Sequence, residues 1–284
     1  MLFIKNGTIV DPVKNTLYRA DLQIAEGKIE RIIREGEAAP AQIKEHINIE
    51  ETETIDAEGL LIAPGLADTH VHFREPGFTY KEDITTGAAA AARGGFTEIV
   101  LMANTKPPVD NEETLSYVLS RGKETGIHIE SCANVTLGMA GKKLTDMEKL
   151  GEAGAAGFTD DGIPLLDESI VRKAMEKAKS LHKPISFHEE NPGMIANNGI
   201  NAGEAAAFYG IGGSPREAEI SLVKRDLELA LETGAEVVIQ HISAKESVAL
   251  LREAKAKGAH VHGECTPHHF TLTESAAIEK GTLA

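Results

Sequence analysis

The chain has 284 residues, with 44 acidic and 29 basic side chains and a formal net charge of −15 at pH 7. This surplus of negative charge argues against non-specific binding to nucleic acid or to an anionic membrane, since both need clustered positive charge. A composition of 42% hydrophobic and 26% charged residues argues against a disordered chain.

Neither the cysteines nor the apolar runs indicate secretion or a membrane anchor. Cys132 and Cys265 are too few for a disulfide framework. The N-terminal sequence MLFIKNGTIVD lacks the basic and then apolar order of a signal peptide. No apolar stretch reaches the length of about 20 residues that spans a bilayer. We therefore expect a cytoplasmic protein with reduced thiols.

Residues 1–59 predict a small β-sheet. LFIKNGTIVD is apolar on both sides of a turn, and ADLQIAEGKIERII alternates about Glu26-Gly27 as a β-hairpin does. Residues 37–53 are charged and weakly periodic, which indicates an exposed loop.

Residues 60–284 have a different pattern, in which apolar runs alternate with amphipathic helices. The runs are LLIAPGLADTHVHF, TEIVLMAN, IHIESCANV, AAGFTDDG, KPISFHEE, AEVVIQHIS and AHVHGECTPHHF. Helices are predicted at 112–125, 167–181, 217–233 and 244–257. Strand–helix alternation of this length predicts a parallel sheet. Seven repeats approach the eight of a (β/α)8 barrel, and a doubly wound open sheet is the alternative.

The position of the polar residues favours the barrel. In five runs they lie at the carboxyl end of the strand, and a barrel brings all such ends to one mouth. These residues are His70, His72, Asn104, Asp160, Asp161, His188 and His241. A closed barrel needs an eighth strand, and no such run follows Phe270. We therefore expect a truncated chain whose barrel lacks its last strand.

Two histidine pairs share the pattern His-Val-His, but only one lies at a strand's carboxyl end. His70 and His72 are two residues apart, so in a strand both imidazoles point to the same face and can bind one metal ion. His260 and His262 begin their run, which favours a structural pair at the far end of the barrel.

Other strand ends supply further metal-binding groups. With Asp161, His188 and His241, the first pair makes a set of four imidazoles and one carboxylate, which can hold two divalent ions. Donors of this kind, without a thiolate, favour zinc, with manganese and cobalt as the alternatives. Taken singly, His188 or His241 has the alternative interpretation of a core histidine.

The combined motifs resemble those of the class I dihydroorotases of the amidohydrolase superfamily. The motifs are DTHVHFR at 68–74, MANT at 102–105, FTDDG at 158–162, TPHH at 266–269, and the histidines at 188 and 241. The resemblance covers the whole chain. It implies that residues 2–33 belong to one half of a β-sandwich domain, whose other half lies in a C-terminal segment.

The resemblance also implies roles for particular residues. His70 and His72 would ligate one zinc, His188 and His241 the other, and Asp161 would bridge both ions. Arg74 and Asn104 would bind the carboxylate of the substrate, a role that suits a planar guanidinium and an amide donor. The alternatives are an ion pair of Arg74 with Glu75 or Glu82, and a turn role for Asn104.

Several polar neighbours remain outside this set. Adjacent residues of an extended segment point to opposite faces, so Asp160 would cap or orient rather than bind metal. Asp68, His268 and His269 either have a structural role or orient a metal ligand. Glu189 and Glu190 suit a solvated turn.

The catalytic acid and base cannot be assigned from the chain. The resemblance implies an aspartate at the end of the eighth barrel strand for this role, and that aspartate would lie beyond Ala284.

The expected activity is that of a zinc-dependent dihydroorotase, which interconverts N-carbamoyl-L-aspartate and L-dihydroorotate in pyrimidine synthesis. The alternatives are a hydantoinase-like or allantoinase-like cyclic amidohydrolase, and a non-catalytic homologue that scaffolds aspartate transcarbamoylase. The family also leads us to expect a homodimer, and aspartate transcarbamoylase is a candidate partner.

Overall fold

The structure is a computed structural model and describes residues 1–37 and 53–281. Most of the predicted loop at 37–53 lies outside the described residues. The chain forms two compact units, Met1–Leu66 and Ala67–Ala284, each of which is described separately below.

The first unit contains a five-stranded sheet. Its strands are β1 (Leu2–Asp11), β2 (Thr16–Ala25), β3 (Lys28–Arg34), β4 (Glu53–Asp56) and β5 (Leu61–Ile62). The order is β3-β2-β1-β4, with β5 also paired to β1. Strands β1, β2 and β3 are antiparallel neighbours, whereas β4 and β5 run parallel to β1.

The predicted hairpin is present between β2 and β3. Glu26 and Gly27 have φ values of 50° and 73°, the left-handed pair that a tight two-residue turn requires. A small apolar cluster of Ile9, Ala20 and Leu22 lies under the sheet.

The second unit contains seven strands, one for each predicted run. They are β6 (Leu66–Val71), β7 (Phe96–Leu101), β8 (His128–Ser131), β9 (Phe158–Thr159), β10 (Ile185–Phe187), β11 (Val237–Ile239) and β12 (Val261–Gly263). They form two sheets in chain order, β6-β7-β8 and β9-β10-β11-β12, which a parallel bridge between Ala133 and Phe158 connects. The strand registers recorded within these sheets are parallel, as predicted.

The first predicted run divides into two strands. Leu61 and Ile62 pair with β1 in the first unit, and only Leu66–Val71 joins the second. The turn residues Pro64 and Gly65 separate the two strands. The apolar character of the run alone did not predict this division.

Nine helices occur among the described residues of the second unit. They are α1 (Ile84–Arg93), α2 (Glu112–Gly122), α3 (Met147–Glu152), α4 (Glu168–Ser180), α5 (Glu204–Tyr209), α6 (Glu217–Thr233), α7 (Lys245–Ala256), α8 (Pro267–Thr271) and α9 (Ser275–Lys280). The predicted helix at 217–233 has these bounds, and the other three predicted helices differ by one to three residues at their ends. Side chains cap several starts; for example, Asn111 accepts from the Thr114 amide at 2.9 Å.

The core of this unit lies between strands and helices. The strand residues Phe158, Ile185 and Ile239 are fully buried, and so are Leu115 of α2 and Met175 of α4. Burying residues of this size stabilises the fold by about 1.5–3 kcal/mol each. Within the described ranges, no helix is long and apolar enough to cross a membrane.

Candidate metal centre

The first histidine pair lies where β6 ends. Because the two residues are two positions apart, both imidazoles point the same way, and their Nε2 atoms are 3.3 Å apart. The Asp68 carboxylate accepts the backbone N–H of His70 at 3.1 Å, which fixes the strand end beneath the pair.

Asp161 meets this pair from the end of β9. One carboxylate oxygen is 3.5 Å from His70 Nε2 and the other is 3.4 Å from His72 Nε2. The Asp161 side chain is only 4% exposed. A single carboxylate thus faces both imidazoles of the first pair.

The second pair comes from the ends of β10 and β11. His241 Nε2 is 2.8 Å from His188 Nδ1, and that Nδ1 atom is 3.6 Å from the Asp161 carboxylate. The rings of His70 and His241 are 5.7 Å apart between centroids. The four imidazoles therefore converge on Asp161 from the ends of three other strands.

A buried amide lies next to His241 and connects the strands below it. Gln240 Nε2 donates to Ser186 Oγ at 2.7 Å and to Thr159 Oγ1 at 3.2 Å. These contacts link β9, β10 and the end of β11 immediately before the residues that converge. The base of the site is therefore held by polar contacts as well as by the parallel pairings.

The donor set fits two divalent cations. One group comprises His70, His72 and Asp161, the other comprises Asp161, His188 and His241, and within each group the ligand atoms lie within 4.8 Å of one another. Imidazole nitrogens and a carboxylate suit zinc, and a carboxylate shared by two groups suits a pair of ions.

Burial and charge shift the acid–base properties of this cluster. Burial raises the pKa of the Asp161 carboxyl, but contact with three imidazoles outweighs it, so this pKa lies below its usual value. Burial lowers the pKa of His72 and that of His241, and the neighbouring imidazoles lower the pKa of His241 further.

The other member of each pair behaves differently. Burial lowers the pKa of His70, but the Glu264 carboxylate outweighs it and raises this pKa overall. Burial also lowers the pKa of His188, but Asp161 and Glu190 raise it above its usual value.

Three polar side chains contact the outer nitrogens of the histidines. Glu264 Oε2 is 2.9 Å from His70 Nδ1. Asn104 Oδ1 is 3.0 Å from His72 Nδ1, and Glu190 Oε2 is 3.4 Å from His188 Nε2. Sequence reasoning missed Glu264, although its position directly after β12 was a signal that could have found it.

A family comparison gives these residues their context. A model of the family described as Dihydro-orotase-like matches residues 59–247. The chain belongs to this family. It is 50% identical over 284 residues to the dihydroorotase of Clostridioides difficile and 46% identical over 285 residues to that of Clostridium acetobutylicum. Each match covers 100% of the chain and 65% of the relative, so the chain spans about two thirds of these relatives' length.

Solved structures share the fold of this dihydro-orotase-like chain. L-hydantoinase (dihydropyrimidinase) from Arthrobacter aurescens matches with a TM-score of 0.78 at 22% identity, covering 99% of the chain and 61% of the hydantoinase. Dihydropyrimidinase from Brevibacillus agri matches with a TM-score of 0.75 at 24% identity, covering 99% and 60%. The resemblance to the dihydroorotase family is confirmed, and so is an α/β fold with parallel strands like that of the hydantoinases.

In this family member, Arg74 is the second residue after His72 in the sequence. Burial lowers the pKa of His72, and the positive charge of Arg74 lowers it further. The alternative of an ion pair with Glu75 does not describe the structure, because Glu75 pairs with Arg121 at 3.1 Å. Glu82, the other alternative partner, accepts from the Asp83 amide at 3.1 Å and from the Thr86 hydroxyl.

Two residues at the strand ends have an uncommon backbone conformation. Arg74 has φ 62° and His241 has φ 34°. A left-handed conformation at a residue with a side chain costs of order 1–3 kcal/mol, and such residues are frequent at functional sites.

Asn104 lies between two members of the cluster. Its Nδ2 group donates to the Asp161 carboxylate at 2.8 Å and to the Asp161 carbonyl at 3.2 Å, while its Oδ1 faces His72. In this dihydro-orotase-like chain, Asn104 therefore links the Asp161 carboxylate to the His72 imidazole.

Asp160 points away from the cluster, as the alternation of an extended segment predicts. Its buried carboxylate accepts from the backbone amides of Val135 at 2.9 Å and Thr136 at 3.1 Å, and from the Thr136 hydroxyl. Burial raises the pKa of this carboxyl despite those contacts. The residue thereby ties the end of β9 to the segment after β8.

The expectation of a solvated turn at Glu189 and Glu190 is wrong for Glu189. That residue is 4% exposed, and burial beside Asp226 raises its pKa well above the usual range. His268 and His269 lie at the start of α8, where His269 and Thr266 form a capping box.

A cavity lies beside the cluster at the same strand ends. It has a volume of about 860 Å³ and is lined by the segments after β8, β9 and β10, at 140–142, 162–167 and 190–198. Gly162 follows Asp161 directly, and Glu190 contacts His188, so the cavity adjoins the candidate metal centre.

Proposed function

We propose that the protein is a zinc-dependent dihydroorotase that interconverts N-carbamoyl-L-aspartate and L-dihydroorotate in pyrimidine synthesis. The observation that carries the proposal is the convergence of four imidazoles on Asp161 in a chain of the dihydro-orotase-like family. Relatives that are 45–50% identical over nearly the whole chain are dihydroorotases, which supports this activity over that of other cyclic amidohydrolases.

We propose that the second unit, with its seven strands, belongs to a (β/α)8 barrel. Strand order that follows chain order, with functional side chains at the carboxyl ends, supports this architecture. We further propose that residues 1–59 contribute one half of a β-sandwich domain and residues 60–284 the barrel, with the exception that Leu61 and Ile62 pair with β1 of the sandwich sheet.

In this proposal each group of donors holds one zinc ion. His70 and His72 would hold one ion, His188 and His241 the other, and Asp161 both. Two such ions, when bound, would activate water and polarise the carbonyl that it attacks.

The chain's own residues would orient the substrate. The Arg74 guanidinium would bind the substrate carboxylate through two parallel hydrogen bonds, which restricts the substrate to one orientation. Asn104 would supply a further N–H, which it now donates to the Asp161 carbonyl. The cavity of about 860 Å³, which Gly162 and Glu190 line, is large enough for a six-membered ring with its carboxylate.

The proton donor for the leaving nitrogen is not assigned to a residue of the chain. The family resemblance implies an aspartate of an eighth strand for this role. A general acid or base of this kind contributes about 10²–10⁴-fold to the rate.

Turnover of L-dihydroorotate compared with hydantoin, measured on the protein that includes the proposed eighth strand, tests the proposal. We expect hydrolysis of dihydroorotate and little hydrolysis of hydantoin, because only dihydroorotate offers a carboxylate to Arg74. Preferred turnover of hydantoin would support a hydantoinase instead. Less than one zinc per chain, with neither substrate turned over, would support a scaffold protein. A homodimer and association with aspartate transcarbamoylase stay predictions.

A further inference from the structure

Glu264 makes a short contact with one of the candidate metal ligands. Its Oε2 atom is 2.9 Å from His70 Nδ1, and the two side chains are 24% and 12% exposed. The two residues are 194 positions apart in the chain. The contact therefore exists only because the ends of β6 and β12 lie close together.

The contact engages the nitrogen of His70 that faces away from the cluster. The other nitrogen, Nε2, faces the Asp161 carboxylate at 3.5 Å and His72 Nε2 at 3.3 Å. A carboxylate only accepts hydrogen bonds, so the proton of a neutral His70 lies on Nδ1. Nε2 is then left with its lone pair directed into the cluster.

The backbone of Glu264 is fixed on both sides. Its N–H donates to the Ile239 carbonyl at 3.0 Å, and its own carbonyl accepts from the Ile242 amide at 2.8 Å. These bonds hold Glu264 against the segment that carries His241. The carboxylate is therefore presented from a fixed position rather than from a free loop.

The other outer contacts are weaker or uncharged. Asn104 meets His72 with a neutral amide oxygen. Glu190 is 3.4 Å from His188, and its side chain is 38% exposed. Glu264 thus makes the shortest of the three contacts, and it is the one that combines short distance with negative charge.

We propose that Glu264 is a positioning residue that fixes the Nδ1–H tautomer of His70 and orients its Nε2 atom for metal binding. The inference rests on the zinc site of the proposed function and adds a residue to it. A carboxylate on the outer nitrogen of a ligand histidine also raises the basicity of the ligating nitrogen, and loss of such a partner costs about 10–100-fold in metal affinity.

Zinc affinity measured by chelator competition provides the first test. We expect Glu264→Ala to weaken zinc binding at one of the two sites by about 10–100-fold. Glu264→Gln keeps the size and an accepting oxygen, so its loss of affinity should be smaller. Glu236→Gln is the matched control, because Glu236 pairs with the exposed His262 of β12 at 3.5 Å, outside the candidate centre.

The tautomer of His70 in the metal-free protein provides a readout that a merely structural role would not change. Long-range ¹H–¹⁵N NMR spectra should report a proton on Nδ1 in the unsubstituted protein and in Glu236→Gln. In Glu264→Ala the proton should redistribute toward Nε2. Circular dichroism separates these effects from loss of folding, and if Glu264→Ala does not fold, Glu264→Gln carries both measurements.

The outcomes separate this inference from the proposed function. If the unsubstituted protein binds no zinc, the proposed metal site fails and so does the orientation of Nε2 for metal binding, whereas the tautomer measurement still tests whether Glu264 fixes the Nδ1–H tautomer. If it binds two zinc ions and the folded Glu264 variants match Glu236→Gln in affinity and in tautomer, the positioning role is overturned.

Discussion

The second unit contains the tripeptide His-Val-His twice, and the two copies have opposite surroundings. His70 and His72 end their strand and face the Asp161 carboxylate at 3.5 and 3.4 Å. His262 lies within β12, with its side chain 56% exposed, and its partner Glu236 is 53% exposed. Each copy has a glutamate neighbour, so the presence of a carboxylate is not what distinguishes the two pairs.

The difference lies in which end of the strand carries the motif. Parallel strands bring their carboxyl ends to one side, so a motif placed there meets the side chains of neighbouring strands. His70 accordingly meets groups that follow β9, β11 and β12. His260 directly precedes β12 and His262 is its middle residue, and among the described residues the carboxylate partner of His262 is Glu236. The identity of the tripeptide is thus less informative than its place on the strand.

Asp161→Ala should have the largest effect, because it removes the group that unites the first pair with His188 and His241. We expect at least one zinc position to be lost and activity to fall by about 10³-fold, which corresponds to several kcal/mol of charge stabilisation by the ions. Elemental analysis and dihydroorotate turnover measure the two effects. Two zinc ions per chain in the variant would show that Asp161 does not bridge.

Asp160→Ala should act on stability instead, although the two aspartates are adjacent. Its buried carboxylate accepts from two backbone amides, and leaving these unsatisfied should lower the free energy of unfolding by about 3 kcal/mol. Urea denaturation measures the change. Asp167→Ala is the control, since Asp167 caps α4 at an exposed position and its loss should cost about 1 kcal/mol. Equal losses of unfolding free energy in both variants would show that burial of the Asp160 carboxylate does not determine the size of the effect.

The sequence predicted this division of roles because it depends on local periodicity. Alternation along an extended segment separates Asp160 from Asp161, and the apolar runs indicated all seven strands. Position at a strand's carboxyl end likewise singled out the residues that the structure brings together.

Contacts between distant segments could not be predicted in the same way. Glu264 is one of 44 acidic residues, and only the folded chain reveals that it meets His70. Burial of Glu189 depends on its packing beside Asp226 and Arg225, which no local pattern reports. The pairing of Leu61 with β1 also escaped prediction, because an apolar pair suits either unit.

Asn104→Ala tests which contacts support the first histidine pair. In the structure Asn104 contacts both His72 and Asp161, so we expect about a tenfold loss of zinc affinity in addition to a raised KM for dihydroorotate. Chelator competition and steady-state kinetics measure these separately. A raised KM with unchanged zinc affinity would assign Asn104 to the substrate alone.

His262→Ala should have the smallest effect and tests the second pair directly. Its contact with Glu236 is exposed on both sides, and such surface contacts contribute at most about 0–1 kcal/mol. We expect two zinc ions per chain, unchanged turnover and a change in the free energy of unfolding below about 0.5 kcal/mol. His70→Ala is the matched substitution in the other copy, and it should lose zinc while His262→Ala retains it. Loss of zinc in both variants would mean that both copies of the tripeptide contribute to metal binding, and strand position would no longer explain their difference.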